Sequence, residues 1–383
     1  MREGILKGIR VLDFTWVLAG PYSTRILADF GAEVIKIQSL RMTGGPKDNL
    51  NGYFCNWNRN KLGITLDMSH MEARELFLRL VRLSDVVVDN FSPRVMENWG
   101  LTYETLRKVN PRIISASISA MGQTGPWRNC VAFGPGLQAL SGLTYLSSYD
   151  ERRSVGAGFA YGDHVMGLYG ALGILAAIEN RFHTGEGCRV DLSGYEAVCS
   201  VMGAALMEAA QSEAPPRPNG NQAADAGFCG CYPCRGEDRW CVFSTSTAAE
   251  WQALTHLLNS GQLRPEAPRE TQDRCISAWT RARTAEEAVE CLQHAGIPAG
   301  IVQNAEDLVH DPHLIDRQFW LSLNHPVLGR MLGDRFPARF ACGETEDWRP
   351  APQLGEDNRY VFRDILKLTE EEFIQAKKKG VIR

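Results

Sequence analysis

The sequence predicts a doubly wound α/β domain followed by a second, smaller α+β domain. Three observations carry that prediction. Short apolar strands alternate with helical segments through residues 8–119, the order that builds a parallel sheet covered by helices. The chain has 383 residues, more than one hydrophobic core organises. The composition shifts at Ala214-Pro215-Pro216-Arg217-Pro218-Asn219-Gly220-Asn221, a run that breaks regular structure and suits a linker.

Residues 8–14 form the first strand, followed by the loop 15–20. Pro21 opens a helix over 22–30, because its missing N–H and fixed φ suit a first helical position, and Gly31 closes it. Residues 32–37 are the next strand, which completes a β-loop-α-β unit of about thirty residues, the size of a parallel crossover. A loop marked by Gly44-Gly45-Pro46 leads to an aromatic and basic stretch at 53–61. Residues 69–84 carry Ala73, Leu76, Phe77, Leu80 and Val81 at helical spacing, with Ser69 as the cap. The apolar run 85–91 is a strand of the kind buried in parallel sheets. A helix at 103–109 and a strand at 112–119 follow. Further helices are expected at 135–143, from 165 onward and at 194–210, with a turn at 184–187 and a strand at 188–193. Beyond the linker, 229–234 and 240–244 pair as a hairpin turning at Gly236-Glu237-Asp238. Helices at 248–258 and 285–295 and a strand at 299–302 complete that segment. A helix at 370–379 leads with acids and trails with lysines, the order the helix dipole favours.

Composition narrows the function. A net charge of −4 argues against a protein whose main partner is nucleic-acid phosphate. The opening residues 1–8 lack the apolar core of a signal peptide, and no apolar run reaches the ~18 residues of a membrane span. A cytoplasmic location without membrane contact is therefore expected. The eleven cysteines lack the spacing of a disulfide scaffold and read as free thiols. Cys229, Cys231, Cys234 and Cys241 do not form two Cys-x-x-Cys pairs, so they read as strand residues rather than as a zinc site.

The stretch Ala160-Tyr161-Gly162-Asp163-His164-Val165-Met166-Gly167 enters a helix dense in glycine and alanine. Asp163 stands where an N-cap stands, and capping is one reading. A carboxylate there is costly to desolvate. The other reading is a nucleophile, kept ionised by free N–H groups and the positive end of the helix. The loop after the first strand has only Gly20, so the glycine fingerprint of a dinucleotide site is absent. No Gly-x-Ser-x-Gly elbow is present, and the eight histidines are scattered. Arg59 and Lys61, with Arg94, lie where cations reach the phosphates of a ligand held at strand ends; solvated surface is the alternative.

Motifs spread along nearly the whole chain carry a stronger signal. They are Val11-Leu12-Asp13-Phe14 with Ala19-Gly20-Pro21, then Phe30-Gly31-Ala32-Glu33-Val34-Ile35-Lys36-Ile37, Asn58-Arg59-Asn60-Lys61 and Asp89-Asn90-Phe91. Gly122-Gln123-Thr124-Gly125-Pro126, Gly162-Asp163, Asp311-Pro312-His313-Leu314, His325-Pro326 and Leu354-Gly355-Glu356 follow in order. In these the sequence resembles the family III CoA-transferases, the group that includes formyl-CoA transferase, the carnitine CoA-transferase and the related α-methylacyl-CoA racemases. The resemblance implies a Rossmann-like large domain formed by both chain ends, residues 1–213 and 325–383, and a small α+β domain at 214–324, in an interlocked dimer. It implies CoA transfer from an acyl-CoA thioester to a carboxylic acid, with Asp163 forming an anhydride and then an aspartyl-CoA thioester. CoA contacts are implied for Trp16, Val17, Leu18, Ala19, Lys36, Gly122, Gln123 and Phe133 beside Arg59, Lys61 and Arg94. Coenzyme A and its thioesters are then substrates, with no tightly bound cofactor and no metal.

Departures refine the expectation. A racemase of this family needs a histidine as second acid/base, and that position holds Phe133. Leu18 replaces a glutamine of some relatives, and Phe133-Gly134 replaces a Tyr-Glu pair, which argues against formyl or oxalyl substrates. The set Trp16, Tyr53, Phe54, Trp57 and Phe133, together with Gly134, reads as a roomier, apolar acyl pocket, or the aromatics as core, and residues 91–145 resemble most the benzylsuccinate branch. Three readings stay open: a transferase, a racemase or epimerase, and a non-catalytic subunit of a heteromeric CoA-transferase. The partners are an acyl-CoA, a small carboxylic acid, and a second subunit that is either identical or a paralogue.

Overall fold

The structure is a computed structural model that describes residues 4–39, 45–213, 216–222, 227–340 and 348–383. Gly44 of the expected loop and Ala214 and Pro215 of the expected linker lie outside the described residues.

In chain order, β1 (Arg10–Asp13), α1 (Ala19–Asp29) and β2 (Glu33–Gln38) come first. A 3-10 turn (Pro46–Leu50), α2 (Gly52–Asn58), β3 (Leu62–Thr65), α3 (Met71–Arg82), β4 (Val86–Asp89), α4 (Arg94–Asn98), α5 (Tyr103–Val109) and β5 (Ile114–Ser119) follow. Next are α6 (Gly134–Leu140), α7 (Leu143–Leu146), α8 (Tyr161–Thr184), β6 (Arg189–Ser193), α9 (Gly194–Ser200) and α10 (Gly203–Gln211). The chain continues through β7 (Phe228–Pro233), β8 (Trp240–Thr245), α11 (Ala248–Leu258), α12 (Arg269–Arg281), α13 (Ala285–His294), β9 (Ala299–Ile301), α14 (Ala305–His310) and α15 (Pro312–Asp316). It ends with β10 (Trp320–His325), β11 (Gly329–Asp334), a π-helical turn (Tyr360–Ile365) and α16 (Glu370–Lys378).

Six strands make one sheet in the order β3-β2-β1-β4-β5-β6, and every neighbouring pair is parallel. β1 pairs with both β2 and β4. The order therefore reverses there, where open α/β sheets leave a crevice at the carboxyl ends of the strands. Successive residues of a strand face opposite sides. Leu12, Ile35 and Val87 join Phe77 and Leu80 of α3 on one face, together with Phe362, Phe373, Val381 and Ile382 from late in the chain. Val11, Val34 and Val86 join Leu27 of α1 and Met166 and Ile174 of α8 on the other. Both faces are covered, which is why Val86-Val87-Val88 of β4 is a continuous apolar run.

α1 and α8 approach closely because glycine lines the contact. A Cβ on Gly167 would stand 2.8 Å from the Ala19 carbonyl oxygen, and one on Gly170 would stand 3.0 Å from Ser23 Oγ. Edge strand β3 is tied to the late part of the chain. Asp357 Oδ2 accepts the Gly63 N–H at 2.7 Å and Asn358 Oδ1 accepts the Thr65 N–H at 2.9 Å, while Asn358 Nδ2 donates to the Arg383 carbonyl at 2.7 Å.

Two compact units divide the chain: residues 1–144, 156–215 and 318–383, and residues 145–155 with 216–317. The segment 145–155 falls in the second unit and 318–324 in the first, where the sequence reading had the opposite. The second unit holds the antiparallel sheet β7-β8-β9 and a core that includes Tyr232, Cys241, Phe243, Leu254, Ile276 and Leu292. Its hairpin turns with Gly236 at φ 117° and Asp238 at φ 50°. Cys229, Cys231 and Cys241 lie on its strands.

Local departures have local causes. Ser69 does not cap α3: its Oγ donates to Asp67 Oδ1 at 2.7 Å, and His70 takes the N-cap position. The expected helix 194–210 divides into α9 and α10. The strands β3, β10 and β11 and the helices α2, α4, α7, α12, α14 and α15 are additions to the sequence reading. Among the described residues no group of three His, Cys, Asp or Glu is placed to hold a metal ion, and no helix is long and apolar enough to cross a membrane.

Candidate active site

Helix α8 begins after Ala160, whose side chain caps nothing. Asp163 is the third residue of the helix, not its cap, which corrects the capping reading. Its own N–H bonds the Ala160 carbonyl at 3.0 Å, and its carboxylate accepts the N–H of Gly134, the first residue of α6. The carboxyl group therefore meets the positive ends of two helices, where an anion is favoured. A Cβ on Gly134 would lie 2.2 Å from Asp163 Oδ2, so only glycine leaves room for that carboxylate. Burial pushes the Asp163 carboxyl above the ordinary carboxylate range, against the Gly134 N–H and His164, which both pull it down. Asp163 is half-buried rather than sealed.

His164 turns away from its neighbour. Its Nδ1 lies 2.9 Å from the Ala160 carbonyl oxygen; a carbonyl only accepts, so Nδ1 carries the proton. The ring stands edge-on to Tyr22 and Trp57 at 5.4 and 5.2 Å. These three side chains line a cavity of about 380 Å³ with Phe319, Trp320 and the Arg25–Asp334 ion pair.

A second cavity of about 370 Å³ opens at the carboxyl ends of β1 to β4. Trp16, Val17, Lys36, Tyr53, Phe91 and Trp99 are among its walls. Tyr53 connects it electrostatically with the carboxyl site: its phenol is pushed up by burial and then by the charge of Asp163.

Of the residues expected to bind a ligand, Trp16, Val17 and Lys36 line this cavity. Leu18 and Ala19 are buried at the start of α1. Gln123 is folded back, with its N–H on Asp191 Oδ1 at 2.8 Å and Nε2 on Ser119 Oγ at 3.2 Å, and Gly122 turns beside it at φ 81°. Phe133 is 60% exposed and directly precedes Gly134. Arg94 is exposed at the first position of α4.

The expected cationic rim needs correction. Arg59 is only 1% exposed, with Nη2 2.7 Å from Asp29 Oδ2 and Nη1 2.9 Å from Asp334 Oδ1. The Lys61 ammonium is fully buried, 3.0 Å from Asp13 Oδ2, and donates to the Pro21 carbonyl, Thr24 Oγ1 and Asn58 Oδ1 as well. Lys36 donates to the Thr15 carbonyl and stands 3.7 Å from Asp13 Oδ1. A buried charge costs several kcal/mol unless it is paired, and here the pairing is internal. Burial pushes the Asp13 carboxyl up, but Lys36 and Lys61 outweigh it and hold it at about 2. Burial brings Lys61 down to about 7, against the pull of Asp13 and with the help of Lys36. Arg59 and Lys61 brace the floor of the first unit rather than facing a ligand.

Sequence reasoning set Gly134 beside an acyl pocket and missed its contact with Asp163. Its role comes from a missing side chain beside a residue remote in the chain, and no periodicity marks that.

The sequence profile described as CoA-transferase family III matches residues 6–358. The chain belongs to that family. This family III chain is 33% identical over 390 residues to a probable CoA-transferase of Mycobacterium tuberculosis, covering 96% of this chain and 49% of that protein, so it spans about half of that relative's length. It is 32% identical to a succinyl-CoA–D-citramalate CoA-transferase of Chloroflexus aurantiacus, covering 98% of each. Among solved structures, a CaiB/BaiF family protein from Brucella suis superposes with a TM-score of 0.83 at 27% identity, covering 95% of this chain and 100% of that one.

Proposed function

We propose that this chain is an acyl-CoA:carboxylate CoA-transferase with Asp163 as its nucleophile. The observation that carries the reading is the Asp163 carboxylate itself: half-buried, held by the Gly134 N–H and placed at two helix starts. Membership of family III supplies the reaction class.

The chemistry runs in four balanced steps. An Asp163 carboxylate oxygen attacks the acyl carbon, the C–S bond breaks, and CoA leaves as thiolate; the product is a mixed anhydride. The thiolate then attacks the side-chain carbonyl carbon of Asp163 and releases the donor acid as carboxylate, leaving an aspartyl-CoA thioester. The acceptor carboxylate attacks that carbonyl and expels the thiolate, forming a second anhydride. The thiolate finally attacks the acceptor's acyl carbon and frees the Asp163 carboxylate. Proton transfer is not required in any step, which suits a nucleophile with no paired acid. An α-carbon racemase would need a proton donor or acceptor on both faces, and Phe133 offers none.

The cavity at the strand ends is the reading's place for the coenzyme, with Trp16, Val17 and Lys36 in its wall and Arg94 as the surface cation. The exposed apolar side chains Leu168, Leu172 and Phe182 of α8 and Leu206 and Met207 of α10 support a subunit interface, as the interlocked dimer requires. A cytoplasmic setting is part of the same proposal.

The test is exchange of label between an acyl-CoA and a panel of carboxylic acids, followed by hydroxylamine trapping and mass spectrometry. Wild type exchanges and yields a hydroxamate at Asp163; D163A does neither. Exchange that survives in D163A removes Asp163 from the mechanism.

A further inference from the structure

The loop between β1 and α1, residues 14–18, is fixed at four of its five positions, beginning with the Phe14 N–H on the Val88 carbonyl at 2.9 Å. The Thr15 N–H and Oγ1 donate to Asp13 Oδ1 at 2.7 and 2.5 Å, and the Thr15 carbonyl accepts from Lys36. The Leu18 carbonyl accepts the Tyr22 N–H at 2.7 Å as α1 begins. Between these anchors, Asn90 grips Trp16 on both sides. Its Oδ1 accepts the Trp16 N–H at 2.9 Å and its Nδ2 donates to the Trp16 carbonyl at 2.9 Å. The carboxamide thus pairs with the Trp16 backbone as a neighbouring strand would. Gly20 makes room for it, since a Cβ there would lie 3.0 Å from Asn90 Cγ.

The residue left without an anchor is Val17, and it pays in conformation: its φ is +64°. A β-branched side chain in that region is strained and persists only where its surroundings force it. Trp16 and Val17 are both exposed and both line the cavity at the strand ends. Asn90 follows β4 across the switch point and Phe91 beside it lines the same cavity. One side chain therefore sets the shape of a cavity wall without facing the cavity itself.

We propose that Asn90 is a positioning residue for the thioester substrate: it clamps Trp16, holds Val17 in its strained conformation, and so keeps that wall ready for the coenzyme. The inference rests on the CoA-transferase reading for its ligand, but the clamp has its own readout. Without the carboxamide, Thr15 and Leu18 stay anchored while Trp16 turns and Val17 relaxes to negative φ. Substrate binding weakens; the chemistry at Asp163, carried by a different loop and helix, does not.

Three variants of the full chain test this: N90A, N90D and N90A/V17G. Two lost backbone hydrogen bonds predict a KM for acyl-CoA raised about tenfold in N90A, with kcat within about twofold of wild type. N90D keeps the acceptor for the Trp16 N–H and falls between. Glycine adopts positive φ without strain, so in N90A/V17G the loop has less reason to leave its shape and KM returns toward wild type. Amide hydrogen exchange over residues 15–18 accelerates in N90A and less in the double variant. Unchanged exchange over 15–18 in N90A overturns the clamp whatever the activity. A fall in kcat at constant KM, or strictly additive effects in the double variant, overturns its role in binding. If wild type moves no CoA between acids, the transferase reading fails instead, and calorimetric titration with CoA together with the exchange data still decides the clamp.

Discussion

The Asp163 carboxylate occupies the space that a side chain at position 134 would fill. Gly134→Ala therefore displaces the proposed nucleophile without touching its identity. A misplacement of this order costs roughly 100-fold in rate, so kcat should fall by about that factor while circular dichroism and melting stay near wild type. The same carboxyl is held above its ordinary range, so it takes up its proton, and loses its nucleophilicity, at a higher pH than a free aspartate does. The acidic limb of kcat/KM should lie above the ordinary aspartate value of 3.8, and a profile falling only below that value contradicts the assignment. Asp89 offers a cleaner titration. Burial raises its carboxyl to about 6, against hydrogen bonds from Ser117 and the Phe91 N–H. Between the unfolded value and about 6, the folded chain keeps a proton that the unfolded chain has lost, so this group's contribution to stability declines as pH rises through that window. Asp89→Asn removes the dependence. Urea titrations at pH 4 and 7 should show the variant gaining roughly 2 kcal/mol on wild type across the interval.

At the scale of elements, the fit between α1 and α8 rests on hydrogen atoms in place of methyl groups. Gly167→Ala sets a Cβ 2.8 Å from the Ala19 carbonyl, a backbone atom that cannot swing aside. Overpacking of this kind costs roughly 1–3 kcal/mol, to be read as a lowered denaturation midpoint with an unchanged slope. The parallel strand β4 was legible because burial on both faces writes it as an apolar run, and β1, β2 and β5 because their apolar residues alternate with helices, although serines interrupt β5. β3 was not: Leu62-Gly63-Ile64-Thr65 is short, contains glycine and owes its place to Asp357 and Asn358 far along the chain. Helix α12 escaped notice because Arg269–Arg281 is mostly polar, with Ile276 its one large apolar side chain buried in the core. The aspartate on α8 was conspicuous in sequence, whereas the internal partners of Arg59 and Lys61 were not. Asp13, Asp29 and Asp334 come from three distant segments, and residue spacing alone cannot tell a paired cation from a free one.

For the whole molecule, the first unit is closed by residues late in the chain. Val381 and Ile382 sit in the same core as Leu12 and Phe77, and Arg383 meets Thr65 and Asn358 at the edge of the sheet. Ile382→Ala, although near the last residue of the sequence, should cost as much as a central core deletion, about 2–5 kcal/mol, measurable by chemical denaturation. A change of a few tenths would show that the segment only rests on the sheet. The motifs shared with family III run through both units, and that breadth let the family be named where the domain limits were misjudged by the segments 145–155 and 318–324.

The vacancy at position 134 also serves as a test for gene catalogues. A homologue that sets a bulkier amino acid opposite the acidic residue, as relatives with a Tyr-Glu pair at 133–134 do, must seat its carboxylate in another way than this chain does. Surveys that score the aspartate alone therefore group together chains whose carboxylates sit in different surroundings.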